Sequence, residues 1–365
     1  MTVVGGTAGF SAAPQPPRTG TVHRATGARW IFGLLRRNEE QVWRGVARVA
    51  ALVPLAALVF ALTVLAIKAW PAIRLNGWGF LTRSEWNPGA SYAPTVHTNG
   101  IAHPLHASYG AWPLIAGTLQ TSFIAVVVAL PLSIGAAFAL TERMPRWLSR
   151  PLGFAVELLA GIPSVVVGLW GVLTLGPILA DHVYPIVANR MPDVPVLRYF
   201  RNPVGHGQGL LTAGLVLGLM IVPIITATTR DLFTQVPPLP KEGAEALGMT
   251  DAEVARRVTI PWVRSGIIGA TVLGLGRALG ETIAVAMIAG SVLGHTAPNI
   301  YQPMTTIAAT IVNQLDSAQT DGTGFAVATL AEAGLLLAAI SVVVNLLARV
   351  IVVRTARLGG PTGRA

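Results

Sequence analysis

A few charged side chains lie inside long apolar runs of this sequence, and they are the residues best placed to do chemistry. Arg277 and Glu281 stand four positions apart in one run, so a helix would place them on the same face. Glu332 and Glu157 are two further acids within such runs. Charges inside a bilayer are rare unless they are paired or hydrated, so each marks either an ion pair or a station on a solute path.

Arg277 suits an oxyanion, because a guanidinium stays protonated and its planar fork binds two oxygens at once. The alternative is an ion pair that locks its helix to a neighbour. Glu281 and Glu332 are both candidate partners, and the sequence does not decide between them. Glu157 lies nearer the inner surface, where it either reaches water or stands at a helix N-terminus.

Apolar runs dominate the chain, which is 52% hydrophobic and 12% charged over 365 residues. Runs of roughly 20 apolar residues are long enough to cross a bilayer as helices. The predicted spans are 46–69, 113–140, 152–180, 208–229, 266–293 and 323–353. The fold class expected is therefore all-α integral membrane, with six transmembrane helices.

The positive charges alternate between the two sides of this arrangement. Of the 26 Lys and Arg residues, 19 fall in the termini and loops of one side and five on the other. Cytoplasmic segments carry such an excess, so we predict a multi-pass protein of the cell membrane with both termini in the cytoplasm. The same pattern explains the net charge of +10 without nucleic-acid binding.

A polar insert at 242–261 interrupts the apolar pattern between the fourth and fifth spans. We predict one short helix over 240–247, ended by Gly248 as a left-handed cap. A capping box that begins at Thr250 then predicts a second helix, ended by Pro261. Two short helices joined at a glycine, and tethered at both ends, are typical of a docking element for a cytoplasmic partner.

Gly161 and Pro163 interrupt the third span, because proline cannot donate to the carbonyl one turn back. They predict either a packing kink or a kinked helix that lines a pathway. The long external loop at about 71–112 contains His97, His103 and His106. A solvated loop facing a partner is favoured over a metal site there, and the chain has no cysteine ligands.

The polar insert resembles the coupling loop of ABC importer permeases, whose pattern is Glu-Ala-Ala, three residues, Gly, nine residues, Ile-x-Leu-Pro. The matching positions here are Glu242, Gly243, Ala244, Gly248, Val258, Ile260 and Pro261. Gly243 departs from the pattern and weakens the first helix by up to about 1 kcal/mol relative to alanine.

Two further segments, 160–171 and 276–290, are similar to phosphate-importer permeases of the PstC type, as is FLTRSEWNP at 80–88. The resemblance covers about 45–353. It implies a type I ABC importer permease (MetI-like) fold. The domains expected are a cytoplasmic tail at 1–45, a membrane domain at 46–353 with a coupling loop at 230–265, and a cytoplasmic tail at 354–365. The composition of the first tail predicts that it is largely disordered, and residues 30–43 could form an amphipathic helix on the inner membrane surface.

The resemblance also implies the partners: a second permease of the PstA type, two PstB-type ATPases and an external PstS-type phosphate-binding protein. The coupling-loop residues would rest on an ATPase, and Arg277 and Glu281 would line or gate the path of inorganic phosphate. This chain would bind no cofactor or metal, while ATP and Mg would be used by the ATPases. It has no phosphate-loop lysine motif and is expected not to be an enzyme.

Other functions remain compatible with parts of the sequence. A permease of this class could carry sulfate, molybdate or another solute. A secondary transporter would require an inverted repeat with paired broken helices, which is not evident. A membrane enzyme would use Glu281 or Glu332 as an acid–base group, but a second catalytic group is missing.

Overall fold

The computed structural model describes the backbone of residues 26–358 apart from 90–93, 191, 193, 195–196, 202 and 204. Side chains are described for 42–354 apart from the same positions and 197. The chain comprises two compact units, Met1–Ala61 and Leu62–Ala365. The candidate site and the cavities described below lie in the second unit.

Within the described residues, six helical segments are long and apolar enough to cross a membrane, which confirms the predicted number. They are Val42–Asn76, Trp112–Arg143, Ser164–Arg190, Leu210–Thr234, Asp251–Gly280 and Phe325–Arg354. Their exposed surface is largely apolar, as expected for helices that meet lipid or other subunits.

The helices have the following bounds. The α-helices are α1 (Thr26–Asn76), α2 (Gly79–Thr82), α3 (Trp112–Phe138), α4 (Arg146–Leu159), α5 (Ser164–Trp170), α6 (Gly176–Ile178), α7 (Tyr184–Arg190), α8 (Leu210–Thr234), α9 (Pro238–Ala246), α10 (Asp251–Val254), α11 (Ile260–Gly280), α12 (Ile283–Ile288), α13 (Ile307–Gln319) and α14 (Phe325–Leu358). π-Helical turns occur at Ala139–Arg143, Gly171–Leu175, Leu179–Val183 and Ala255–Thr259, and a 3₁₀ turn at Leu197–Phe200.

The terminal segments differ from the predicted domains. Helix α1 begins at Thr26, so residues 26–45 are helical. This helix contains the amphipathic segment considered for 30–43, and it corrects the prediction of disorder for 26–45. The segment contains four Arg, two Leu and two Glu residues, which favour helix once a neighbouring apolar span has nucleated it. Helix α14 likewise continues to Leu358, beyond the predicted boundary at 353. The predictions for 1–25 and 359–365 lie outside the described residues.

The third and fifth predicted spans are each divided by a break. Helix α4 ends at Leu159 and α5 begins at Ser164, so the predicted kink is a complete interruption. Pro163 takes an extended conformation (φ −58°, ψ 133°) and has no N–H for a helical bond. Helix α11 ends at Gly280, and α12 begins at Ile283.

Helices α3, α8 and α11 form the centre of the packed core together with α12. Its buried residues include Ala125, Leu217, Ile221 and Ala278, each at most 4% exposed. Small side chains let the helices approach closely, as is common between membrane helices. At Gly214, for example, an ideal Cβ would lie 2.6 Å from the side chain of Ile124 on α3.

Short antiparallel ribbons build the loop between α2 and α3. Strand β1 (Trp86–Asn87) pairs with β4 (Ser108–Tyr109), and β2 (Val96–Thr98) pairs with β3 (Ile101–His103). The first ribbon packs against the start of α14 through Tyr109 and Phe325, whose rings lie 5.9 Å apart. Asp321 lies just before α14. Burial opposes ionisation of its carboxyl group, but hydrogen bonds from Ala326 and Thr323 outweigh the effect of burial and hold the pKa of Asp321 below its usual value.

We predict that Gly117→Ala destabilises the fold by about 1–3 kcal/mol through overpacking. An ideal Cβ on Gly117 would lie 2.0 Å from the Thr305 carbonyl oxygen and 2.8 Å from the Met304 sulfur. The measurement is the thermal unfolding midpoint of the purified protein in detergent. Gly135→Ala on the same helix is the control, since nothing lies within 4 Å of its added Cβ. Equal midpoints for the two variants would contradict the predicted close approach.

Candidate functional site

Arg277 lies in the last turn of α11, and its side chain is exposed. It lines an apolar cavity of about 400 Å³, whose other walls include Trp170 and Met220. It also borders a more open groove of about 620 Å³ that includes Asn345. The guanidinium therefore meets open space beside an otherwise apolar surface, at the helix end whose dipole favours a cation.

Glu281 does not share a helical face with Arg277, so that expectation was wrong. Helix α11 stops at Gly280, and Glu281 has an extended backbone with φ −68° and ψ 126°. Its carboxylate instead accepts a hydrogen bond of 3.4 Å from the backbone N–H of Ala284, near the start of α12. In the part of the chain that the structure describes, Arg277 forms no ion pair or hydrogen bond.

Glu332 has a partner other than Arg277, which corrects the second proposed pairing. It is 7% exposed on α14, and its Oε2 accepts a 2.8 Å hydrogen bond from Nδ2 of Asn76 at the end of α1. Glu157 on α4 forms an ion pair of 2.8 Å with Arg230 on α8. Its side chain is 48% exposed, so it reaches the surface, as one alternative predicted. It does not begin a helix, because α4 starts eleven residues earlier, at Arg146.

The break at 160–163 faces the Arg277 cavity. The walls of this cavity include Leu159, at the end of α4, and Ala160 and Ile162, in the break itself. The last turn of α4 tightens before Pro163, with Ile162 N–H donating to the Leu159 carbonyl at 3.3 Å. This placement favours the pathway-lining alternative for Gly161 and Pro163 over a packing kink.

The first helix of the predicted coupling loop, α9, spans Pro238–Ala246 and begins two residues before the predicted start. It ends in a Schellman motif, as Gly248 N–H donates to the Glu245 carbonyl at 2.8 Å and Met249 N–H to that of Ala244 at 3.2 Å. Gly248 has φ +79°, a left-handed conformation in which glycine avoids the strain of a side chain. The predicted glycine cap is confirmed.

Two faces of α9 differ in their surroundings. Ala244 is 6% exposed and points inward, whereas Leu239 and Leu247 are 76% and 81% exposed. Glu242 is also exposed, and nothing lies within 4 Å of the Cβ position of Gly243. Apolar side chains presented this far into solvent are typical of a surface that another protein covers.

The second helix of the predicted coupling loop, α10, begins with the predicted capping box. Thr250 N–H donates to Oε2 of Glu253 at 2.9 Å. Pro261 does not end this helix: a π-helical turn follows, and α11 then begins at Ile260. Proline fits there because N–H groups in the first helical turn need no partner. Val258 lies in the π-helical turn, and Ile260 packs against the cluster that contains Phe233.

Two consecutive residues connect this loop to the end of α3. Glu142 pairs with Lys241 of α9 at 2.5 Å, and their side chains are 25% and 18% exposed. Arg143 pairs with Asp251 of α10 at 3.5 Å, where both side chains are more than half exposed. We call these two ion pairs the loop clamp. The Glu142 pair contributes more, because exposed ion pairs are weak.

Sequence reasoning missed Asn76, Arg230, Glu142 and Lys241 as partners. Glu142 and Lys241 are 99 residues apart, and no local pattern connects them. Nε2 of His103 is hydrogen-bonded to Oγ1 of Thr98 at 2.9 Å, within the β2–β3 ribbon. Among the described residues, no group of three His, Cys, Asp or Glu side chains is arranged to hold a metal ion.

Known proteins resemble the chain over most of its length. Residues 129–357 match the family described as "Binding-protein-dependent transport system inner membrane component". The phosphate transport system permease protein PstC 1 of Mycobacterium tuberculosis is 57% identical over 348 residues, which cover 95% of this chain and 98% of that protein. The PstC permease of Pasteurella multocida is 38% identical, covering 88% and 94% of the two chains. A bacterial ABC transporter involved in the import of alginate aligns with a TM-score of 0.47 and 19% identity, over 66% of this chain and 78% of that one.

We predict that Glu142→Lys and Lys241→Glu each destabilise the protein by about 1–3 kcal/mol, because each places like charges together in a partly buried pair. The double exchange should recover most of the loss, since it restores an opposite pair. Thermal unfolding of the purified protein measures all three variants. Glu245→Lys on the exposed side of α9 is the control. Additive losses in the double variant would show that the two side chains do not interact.

Proposed function

This chain belongs to the family of binding-protein-dependent transport system inner membrane components, and we propose that it is the permease subunit of an ATP-driven importer of inorganic phosphate. Relatives named phosphate transport system permeases align over almost the whole chain. The family and the six apolar helices give the expected all-α, MetI-like permease fold. It is a permease subunit rather than an enzyme.

The observation that carries the proposal is the unpaired state of Arg277 beside an apolar cavity. Neither Glu281 nor Glu332 neutralises it within the described chain. A cation left without an acid partner in a membrane region is costly, so it is expected to serve a solute or water-filled path. Phosphate offers several oxygens in the geometry that a guanidinium fork binds.

Coupling to ATP hydrolysis is assigned to the outward face of α9. Leu239 and Leu247 flank Glu242 and Gly243 on this exposed surface. Gly243 removes a methyl group from the middle of that face, so a partner surface can approach the backbone closely. Two ATPase subunits would bind here and at the equivalent loop of the second permease.

The chain works with other components of an ABC importer. We infer the finer assignments: a PstA-type permease, two PstB-type ATPases and a PstS-type binding protein on the outer side. Both termini and the coupling loop are assigned to the cytoplasm of a multi-pass membrane protein, because positive charges concentrate there. ATP and Mg would be bound by the ATPases, with no cofactor on this chain.

Transport would follow alternating access. Closure of the ATPases on ATP would draw the two coupling loops together and open the permease to the external side. Phosphate would then leave the binding protein and pass Arg277, which offsets its charge. Binding there should be weak, because a tightly held ion would not be released; selectivity then belongs mainly to the external protein.

We predict that Arg277→Gln lowers phosphate uptake by about 10- to 100-fold, the effect of losing one charge-assisted contact. The assembled transporter should still form and hydrolyse ATP. Radiolabelled phosphate uptake into vesicles that contain ATP provides the measurement. Arg277→Lys keeps the charge without the fork and should recover part of the activity. Normal uptake by Arg277→Gln would reduce the arginine to a structural role, and uptake of sulfate or molybdate instead of phosphate would change the cargo.

We predict that Glu242→Lys weakens association with the ATPase and uncouples its hydrolysis from uptake, while membrane insertion is retained. Glu242 is exposed and has no intramolecular partner within the described residues, so its substitution should leave the permease fold intact. Copurification of the ATPase, measured beside uptake, tests this. Arg354→Gln, at the exposed cytoplasmic end of α14, is a control. Unchanged copurification and uptake would place ATPase docking elsewhere.

A further inference from the structure

A second cavity, of about 420 Å³ and with a charged lining, lies between α4 and the end of α8. It is at the opposite end of α8 from the external loops, near the coupling loop. Its lining includes three arginines, Arg146, Arg150 and Arg230, and a single acid, Glu157. We call it the arginine pocket. Its lining thus carries two more positive than negative charges, which favours an anionic ligand.

Arg230 already has acidic partners in this pocket. It forms the 2.8 Å ion pair with Glu157, and its Nε lies 3.9 Å from Asp231. Gly153 makes this possible, since an ideal Cβ there would lie 2.2 Å from Nη1 of Arg230. The pair fixes one wall of the pocket and neutralises one of its arginines.

Arg146 and Arg150 supply the remaining charge. They stand one helical turn apart on α4 and line the same cavity. Within the described residues, neither forms an ion pair or a hydrogen bond. The nearby Ser149 hydroxyl donates to the Leu140 carbonyl and is therefore occupied. The donors left for a ligand are two guanidinium groups, which together suit a phosphate group.

The surroundings of the pocket distinguish a lipid from a free ion. Phe154 lines the cavity and is 61% exposed, and Trp147 and Leu158 on the same helix are 76% and 58% exposed. Helix α4 is thus amphipathic, with its charged face toward α8 and its apolar face outward. A small inorganic ion gains nothing from that apolar face, whereas acyl chains pack against it.

We propose that the arginine pocket binds the headgroup phosphate of an anionic phospholipid from the cytoplasmic leaflet. This rests on the orientation given under the proposed function, which places the end of α8 and the start of α4 at that surface. Basic pockets between helices at the cytoplasmic side are suited to such headgroups. Arg146 and Arg150 contact the phosphate, and the acyl chains lie along Phe154 and Leu158.

The test measures binding of phosphatidylglycerol to the complete transporter in phosphatidylcholine nanodiscs, by native mass spectrometry. Loss of two cationic contacts in Arg146→Gln/Arg150→Gln should weaken binding about 30-fold. The matched control, Arg349→Gln/Arg354→Gln, removes the same charge from the cytoplasmic end of α14 and should change it less than about threefold. Unfolding midpoints of both double variants check that each is folded.

Equal losses of phosphatidylglycerol binding in the two double variants would show that diffuse surface attraction, and not the pocket, holds the lipid. No loss of binding in either variant would overturn the proposal. Titration of inorganic phosphate against bound phosphatidylglycerol distinguishes a site for the lipid headgroup phosphate from a site for the free phosphate ion. Displacement at low millimolar concentrations would make this a site for the free ion and also overturn the lipid assignment. Phosphate uptake in vesicles without anionic lipid tests the proposed transport function separately, because lipid binding does not depend on the cargo.

Discussion

Backbone polar groups inside a bilayer must find partners within the protein, and the placement of the helix breaks follows from this constraint. Two spans are interrupted, after Leu159 and after Gly280. The helices that follow the breaks, α5 and α12, pack closely, with the Cβ position of Gly168 only 2.9 Å from the Ala284 Cα. The first break borders the cavity that Arg277 lines, and Arg277 itself lies in the last helical turn before the second break. Discontinuous helices around a cavity are a recurring way to build solute sites in membrane transporters.

The intramembrane charges separate into two kinds according to their partners. Glu157 and Glu332 are held by Arg230 and Asn76, so their contacts account for their presence within the fold. Arg277 has no comparable contact in the described chain and points into open space. The two acids that could have neutralised Arg277 have other contacts, because Glu281 accepts from the Ala284 backbone and Glu332 from Asn76. This strengthens the functional interpretation of the arginine.

Local signals made the spans and the coupling helices predictable. The glycine cap at 248 and the capping box at Thr250 each depend on a few adjacent residues, and both are present. The break after Gly280 was missed because apolar residues continue on both sides of Glu281 and Thr282, and only the extended backbone of Glu281 reveals it. Pro261 was misplaced for a related reason: proline ends one helix or begins the next, and sequence alone favours neither. Partners such as Glu142 and Lys241 depend on tertiary packing and leave no local trace.

The loop clamp and α11 connect the predicted coupling loop with Arg277. Helix α11 begins beside the coupling loop, and Arg277 lies about 25 Å further along it at 1.5 Å per residue. Ile260 packs with Phe233 near the end of α8, and the clamp ties α9 and α10 to the end of α3. A displacement of α9 would therefore act on α3, α8 and α11, which pack against one another in one core. The lining of the Arg277 cavity also includes Leu159, Ala160 and Ile162, where α4 ends and the helix is interrupted. A break in the backbone lets a cavity wall shift without bending a continuous helix, so a movement that begins at the loop would change the cavity beside Arg277 most readily through this segment.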